Sequence, residues 1–171
     1  MREARIDILD AFNDNDAVCV TTNGERTQRG LGIMGAGVAL AISQVYVEAP
    51  SELGRALTHR GNVPTIIGWW GPQAGFKTQR DDFHYKPLWT FPTKLKWKDP
   101  SDIRLIVQSA KLLDWEMKNY FLKHSNYSVA LPKPGCQNGG LQWSSVKERL
   151  EPLLDGHYLI IDKAATVHPI K

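Results

Sequence analysis

Val20-Thr21-Thr22-Asn23-Gly24 and, after residues 25–33, Met34-Gly35-Ala36-Gly37-Val38-Ala39 decide the fold. The first segment reads as a strand that ends at a polar Asn. The second is a glycine-rich entry into a helix. The opening amides of a helix lack intrahelical partners and the helix dipole favours negative charge, so such an entry is a ready anion site. Glycines there let a phosphate approach the backbone closely. The pattern points to a protein that holds a phosphorylated small molecule. A P-loop is excluded because no Lys-Ser or Lys-Thr follows the glycines. A Rossmann fingerprint opens directly after its strand, whereas about a dozen residues separate Thr22 from Gly35, too long for a dinucleotide βα turn.

Outward from this segment, strands and helices alternate through the chain. Arg5 to Leu9 and Ala17 to Thr21 are predicted strands, the second apolar on both faces and therefore central. Gly37 to Glu48 carries helical spacing and is expected to stop at Pro50. Ser51 caps a second helix, Glu52 to Arg60, ended by Gly61. Val63 to Trp70 and Pro87 to Phe91 read as strands joined by a polar, glycine-containing connection. After Pro100, Ser101 starts the longest helix, with Ile103, Ile106, Val107, Ala110, Leu113 and Met117 on one face. Tyr127 to Leu131 is a strand, Ser144 to Leu154 a helix and Tyr158 to Asp162 a closing strand. The expected architecture is a three-layer α/β/α sandwich around a central mixed sheet of about six strands, as a single domain over residues 1–171.

Composition narrows the function classes. With 171 residues, 42% of them hydrophobic and 23% charged, the chain is long enough to bury a full core. No apolar run reaches the length of a membrane span, and residues 1–16 lack a signal-peptide core. A net charge of +3 is too small to argue for nucleic-acid binding by itself. Cys19 and Cys136 give no disulfide framework, so a cytoplasmic protein without a membrane partner is expected. The five histidines are scattered, with no metal-ligand spacing, and no metal or cofactor is expected.

A second informative segment is Leu131-Pro132-Lys133-Pro134-Gly135-Cys136-Gln137-Asn138-Gly139-Gly140-Leu141-Gln142-Trp143. It is again a strand end, a glycine-rich loop and a helix. Ligands of open α/β sheets sit at the carboxyl ends of the strands. Two such loops facing each other would clamp a diphosphate from both sides with backbone N–H groups.

Taken with Leu9-Asp10-Ala11-Phe12 and Phe91-Pro92-Thr93-Lys94, these segments resemble the macro domain family of ADP-ribose-binding modules over nearly the whole chain. The likeness is to the branch of terminal ADP-ribose glycohydrolases, DNA-de-ADP-ribosylating antitoxins and ADP-ribose 1''-phosphate phosphatases. It implies that Asp10 accepts from the adenine amino group and that the Ala11 amide donates to the ring. Asn23 matches the amide that contacts the distal ribose. Met34, Gly35, Ala36, Gly37 and Val38 would form one diphosphate loop, with the amides of Gly35, Gly37 and Val38 facing the phosphates. Gly135, Cys136, Gln137, Asn138, Gly139, Gly140 and Leu141 would form the other, through the amides of residues 137–140.

Lys94 matches the lysine that this branch ties to removal of ADP-ribose. It can act as a neutral amine that attacks the anomeric carbon, given burial or cationic neighbours such as Lys96, or as a cation that stabilises the leaving group. The residues leave both open. In the terminal glycohydrolase an Asp in the second loop partners this lysine. Gly139 stands here instead, as in the DNA-directed antitoxins. A substitute acid from the loop of Asp81, Asp82 and His84 is one expectation, and Trp70 or Phe83 as an aromatic lid is another. Two function classes follow. One is a hydrolase, acting as a monomer on ADP-ribosylated DNA or protein or on ADP-ribose 1''-phosphate. The other is a non-catalytic reader or sponge of ADP-ribose or a related signal nucleotide. A DNA substrate would find weak phosphate contacts in Lys96, Lys98, Arg26 and Arg29.

Overall fold

In chain order the elements are β1 (Arg2–Ala4), α1 (Ala11–Asp14), β2 (Ala17–Asn23), α2 (Gly37–Val45), α3 (Ala49–Arg60), β3 (Ile66–Gly71), β4 (Gly75–Lys77), β5 (Lys86–Lys94), α4 (Ile103–Tyr120), β6 (Val129–Pro132), α5 (Trp143–Leu150) and β7 (Tyr158–Ile161). These come from a computed structural model that describes residues 1–72, 74–79, 84–122 and 125–162. The seven strands form one sheet in the order β1-β7-β6-β2-β5-β3-β4. The pairs from β1 through β5 are parallel, and β3 and β4 add on antiparallel. The sheet is therefore mixed, with its parallel part carrying the two glycine-rich loops.

β2 lies at the centre because its side chains are apolar on both faces. Val18 and Val20 enter one apolar cluster, with Phe12, Val38, Ile42 and Leu53 of α1, α2 and α3. Ala17 and Cys19 enter the other, with Ile106, Leu113, Met117, Val146 and Leu150 of α4 and α5. A strand buried on both faces reads as a continuous apolar run, which is how this one appears in the sequence. The two clusters make the outer helical layers of a three-layer sandwich. No described helix is long and apolar enough to cross a membrane.

Several boundaries depart from the expectations above. The segment expected as a strand at residues 5–9 is irregular over 5–7 and enters a turn at 8–9. The Asp7 carboxylate accepts from the Leu9 amide at 3.0 Å, and the Asp7 carbonyl accepts from Ala11 at 3.0 Å, opening α1. Those local bonds take backbone groups that a strand would use in its ladder, so the edge strand is the preceding Arg2–Ala4. Pro50 does not merely stop α2, which already ends at Val45. It sits in the first turn of α3, where a missing N–H costs nothing. The cap of α4 is Asp102, whose side chain accepts from the Arg104 amide at 2.8 Å, rather than Ser101. β4 is a three-residue strand too short to be marked by alternation.

Candidate active site

Four parallel strands end on one cleft. Asn23 closes β2, Lys94 closes β5, Pro132 closes β6 and Ile161 closes β7, and all four line a cavity of about 740 Å³. With neighbouring strands ~4.8 Å apart, the three gaps from β7 to β5 span roughly 14 Å. An extended ligand therefore has room to lie across the strand ends, in the crevice where open α/β sheets bind.

The first wall is the entry to α2. Its first intrahelical bond runs from the Leu40 amide to the Ala36 carbonyl at 3.2 Å, so the Gly37, Val38 and Ala39 amides precede the helical ladder. Gly35 to Ala39 all line the cleft. Gly37 adopts φ +56°, where a side chain is strained, and a Cβ there would lie 3.2 Å from Asn138 Nδ2. The two glycine-rich loops thus meet at Gly37 and Asn138, as the clamp arrangement requires.

Asn23 fixes the connection between β2 and that wall. Its Nδ2 donates to the Ile33 carbonyl at 3.0 Å and its Oδ1 accepts from the Glu25 amide at 3.0 Å. One side chain thereby holds both ends of residues 25–33. Each of its polar atoms keeps a second hydrogen-bonding position.

The second wall is residues 135–139. The Leu141 amide donates to the Gly135 carbonyl at 2.9 Å and the Gly140 amide to the Gln137 carbonyl at 3.1 Å. Ser101 lies directly behind this loop, its amide donating to the Gly139 carbonyl at 2.9 Å. A Cβ at Gly139 would come within 2.1 Å of Ser101 Oγ and 2.5 Å of the Gly135 carbonyl oxygen. The glycine at this position is enforced by packing, and a carboxylate has no room there. Ser101 Oγ itself is buried, lines the cleft, and has no hydrogen-bond partner.

Lys94 stands at the β5 end. Its Nζ donates to the Asn138 carbonyl at 3.1 Å and reaches the Trp97 carbonyl at 3.5 Å. The ammonium head is thus tied to the second wall. At the β6–β7 end, Lys133 Nζ pairs with Asp162 at 3.3 Å and with Glu3 at 3.6 Å. Burial pushes the Cys136 thiol up, against the opposing effect of the Lys133 charge, and so disfavours its thiolate form.

Of the residues singled out from sequence, Asn23, Gly35, Ala36, Gly37, Val38, Lys94, Gly135, Cys136, Gln137, Asn138 and Gly139 are brought together here. Five lie outside the lining. Asp10 is exposed at the start of α1, and the Ala11 amide is already engaged by the Asp7 carbonyl. The Met34 side chain is buried in the core under α2 and α3, and Leu141 packs against the cluster under α4 and α5. The Gly140 amide is turned into its own loop. Trp70 packs on Phe12, ring centroids 5.3 Å apart, in the core rather than over the cleft. Asp81, Asp82 and Phe83 lie outside the described residues.

Sequence reading missed Thr21, Thr22, Thr93, Trp97, Lys133 and Asp162 as lining residues. Lys98 was expected only as a weak phosphate contact for DNA, and Ser101 only as a helix start. The available signal was positional for Thr21, Thr22, Thr93, Lys133 and Asp162, which stand at or beside the carboxyl end of a parallel strand, while Trp97, Lys98 and Ser101 lie further along the β5–α4 connection.

No family model matches the chain. Its sequence is 29% identical over 132 residues to a DNA ADP-ribosyl glycohydrolase of Thermus aquaticus, covering 75% of this chain and 33% of that protein. It is 35% identical over 120 residues to one of Mycobacterium tuberculosis, covering 70% of this chain and 31% of that protein. The chain thus spans about a third of the length of the curated relatives it matches. Among solved structures it superposes on the macrodomain of Thermus aquaticus DarG with a TM-score of 0.66 and 26% identity, covering 95% of this chain and 97% of that one. With its mixed sheet, its two facing glycine-rich loops and these relatives, the chain belongs to the macro domain family, on the branch of the DarG macrodomains.

Proposed function

We propose that this chain binds ADP-ribose across the four strand ends and hydrolyses the bond at its distal anomeric carbon, releasing it from DNA. The observation that carries this is Lys94. Its ammonium is fixed at one end of the cleft by the Asn138 carbonyl at 3.1 Å, next to where the two glycine-rich walls meet. The diphosphate lies between the walls, facing the Gly37, Val38 and Ala39 amides. The distal ribose falls between Asn23 and Lys94, and the adenosine extends toward Pro132, Ile161 and Asp162. Water adds its oxygen to the anomeric carbon while the bond to the acceptor atom breaks, and the acceptor leaves with a proton. Lys94 donates to the leaving atom and offsets its developing negative charge. With Gly139 backed by Ser101, no carboxylate from that loop assists, which favours the electrostatic role of Lys94 over a covalent cycle with a second-loop acid. DNA is chosen as the acceptor because the curated relatives are DNA ADP-ribosyl glycohydrolases. This reading places the chain, as a monomer, in a reducing compartment such as the cytoplasm, where free thiols like Cys19 and Cys136 persist.

Chromatographic release of ADP-ribose tests this on three substrates side by side: ADP-ribosylated DNA, glutamate-ADP-ribosylated protein and ADP-ribose 1''-phosphate. Catalytic release from the DNA substrate is expected. The crowding at Gly139 favours one second reading, a reader that binds ADP-ribose without cleaving it. Binding without release from any substrate would establish that instead.

A further inference from the structure

Beyond Lys94 the chain runs Leu95-Lys96-Trp97-Lys98 into the connection between β5 and α4. Two tryptophans are well exposed, Trp97 at 49% and Trp115 at 62%, and only Trp97 lines the cleft. Among the described residues no other aromatic ring meets the Trp97 indole. Its recorded ring contact is Lys98, with Nζ 5.2 Å from the ring centroid. The backbone beneath it is held in place. The Trp97 amide donates to the Glu25 carboxylate at 2.7 Å, and its carbonyl receives the long contact from Lys94. Leu95 beside it is 62% exposed. Leu95 and Trp97 together leave apolar surface exposed beside the cleft, of the kind that a partner covers.

The charge around it selects the partner. Residues 94–98 carry three lysines and no acid, and the nearby Glu25 carboxylate is already engaged by the Trp97 amide. Lysines interleaved with exposed apolar side chains fit a strand that presents phosphates and unstacked bases in alternation. A paired base is stacked on both faces and cannot offer one to an indole, so the fit is to a single strand.

We propose that Trp97 is a stacking platform for an unpaired base next to the ADP-ribosylated nucleotide, with Lys96 and Lys98 holding the flanking phosphates. This rests on the reading that the cleft takes ADP-ribose joined to DNA, and it adds the acceptor side of that site. The strand leaves the cleft past Lys94 and crosses the β5–α4 connection.

The test compares wild type, Trp97→Ala and Trp97→Phe in binding a single-stranded oligonucleotide carrying one ADP-ribose, by fluorescence anisotropy, and in binding free ADP-ribose, by calorimetry. The oligonucleotide affinity of Trp97→Ala should fall about 10-fold or more, and by clearly more than its affinity for free ADP-ribose. Trp97→Phe should recover most of the loss. If the wild type cleaves the oligonucleotide, the same loss should appear in KM with kcat little changed. Because the comparison is read in binding, absence of cleavage by the wild type would sink the hydrolase reading alone. Equal losses for oligonucleotide and free ADP-ribose would overturn the subsite by making Trp97 a cover for ADP-ribose. Unchanged oligonucleotide binding would overturn it outright, as would a wild type that binds the oligonucleotide no more tightly than free ADP-ribose.

Discussion

Gly139 shows how one missing side chain shapes the chemistry. The sequence reveals that no carboxylate stands there, but not why. The structure gives the reason in two contacts, Ser101 Oγ at 2.1 Å and the Gly135 carbonyl at 2.5 Å from any Cβ. Installing the acid by Gly139→Asp should therefore lower ADP-ribose affinity about tenfold or more, within the roughly 1–3 kcal/mol of overpacking, and should not raise turnover. Adding Ser101→Gly should not restore affinity, because the Gly135 carbonyl remains. Calorimetric titration with ADP-ribose checks both variants, and full affinity in Gly139→Asp would show that the loop has room. Asn23 is the converse case. Sequence marked it as a ribose contact, yet its two bonds to Ile33 and Glu25 give it a second task as the fastener of the preceding loop. Asp10 came from its place in a family-like segment, and the Asp7 turn sets it, exposed, at the start of α1 and outside the cleft lining.

At the scale of elements, the connection from β2 to α2 is positioned by its packing on α3. The Gly32 amide donates to the Pro50 carbonyl at 2.7 Å, and a Cβ on Gly54 would lie 1.9 Å from the Gly30 carbonyl oxygen. Helix and loop touch backbone to backbone there. Gly54→Ala must push them apart, so it should lower stability by about 1–3 kcal/mol, read as a reduced midpoint in urea. It should also weaken ADP-ribose binding, because the displaced loop leads into Gly35. A midpoint equal to wild type would mean that the loop does not depend on this contact. Elements were legible where one period dominated, as in β2 with its two buried faces and α4 with its regular apolar face. They were lost where side chains bonded to local backbone, as at Asp7 and Asp102, or where a strand had only three residues, as in β4. Pro50 illustrates the limit of punctuation, since the same residue that ends one helix is well suited to the first turn of the next.

For the whole molecule, the site follows from topology. Four parallel strands deliver their carboxyl ends to one cleft, and two of them continue into glycine-rich loops that meet at Gly37 and Asn138. The mixed sheet and its two helical layers were readable from alternation and composition. The strand order was not, because nothing in a single chain states which strands pair. That order also placed Trp97, Lys133 and Asp162 on the cleft although they stand far apart in sequence. Lys94 at the end of this cleft is proposed to drive removal of ADP-ribose, which the two glycine-rich walls and Asn23 bind. The most direct test measures release of ADP-ribose from an ADP-ribosylated oligonucleotide by wild type and Lys94→Ala, alongside the affinity of each for free ADP-ribose. Turnover should fall by roughly 100-fold or more, about 2.7 kcal/mol or more in the barrier, with the affinity little changed. Equal turnover by the two proteins would contradict the account.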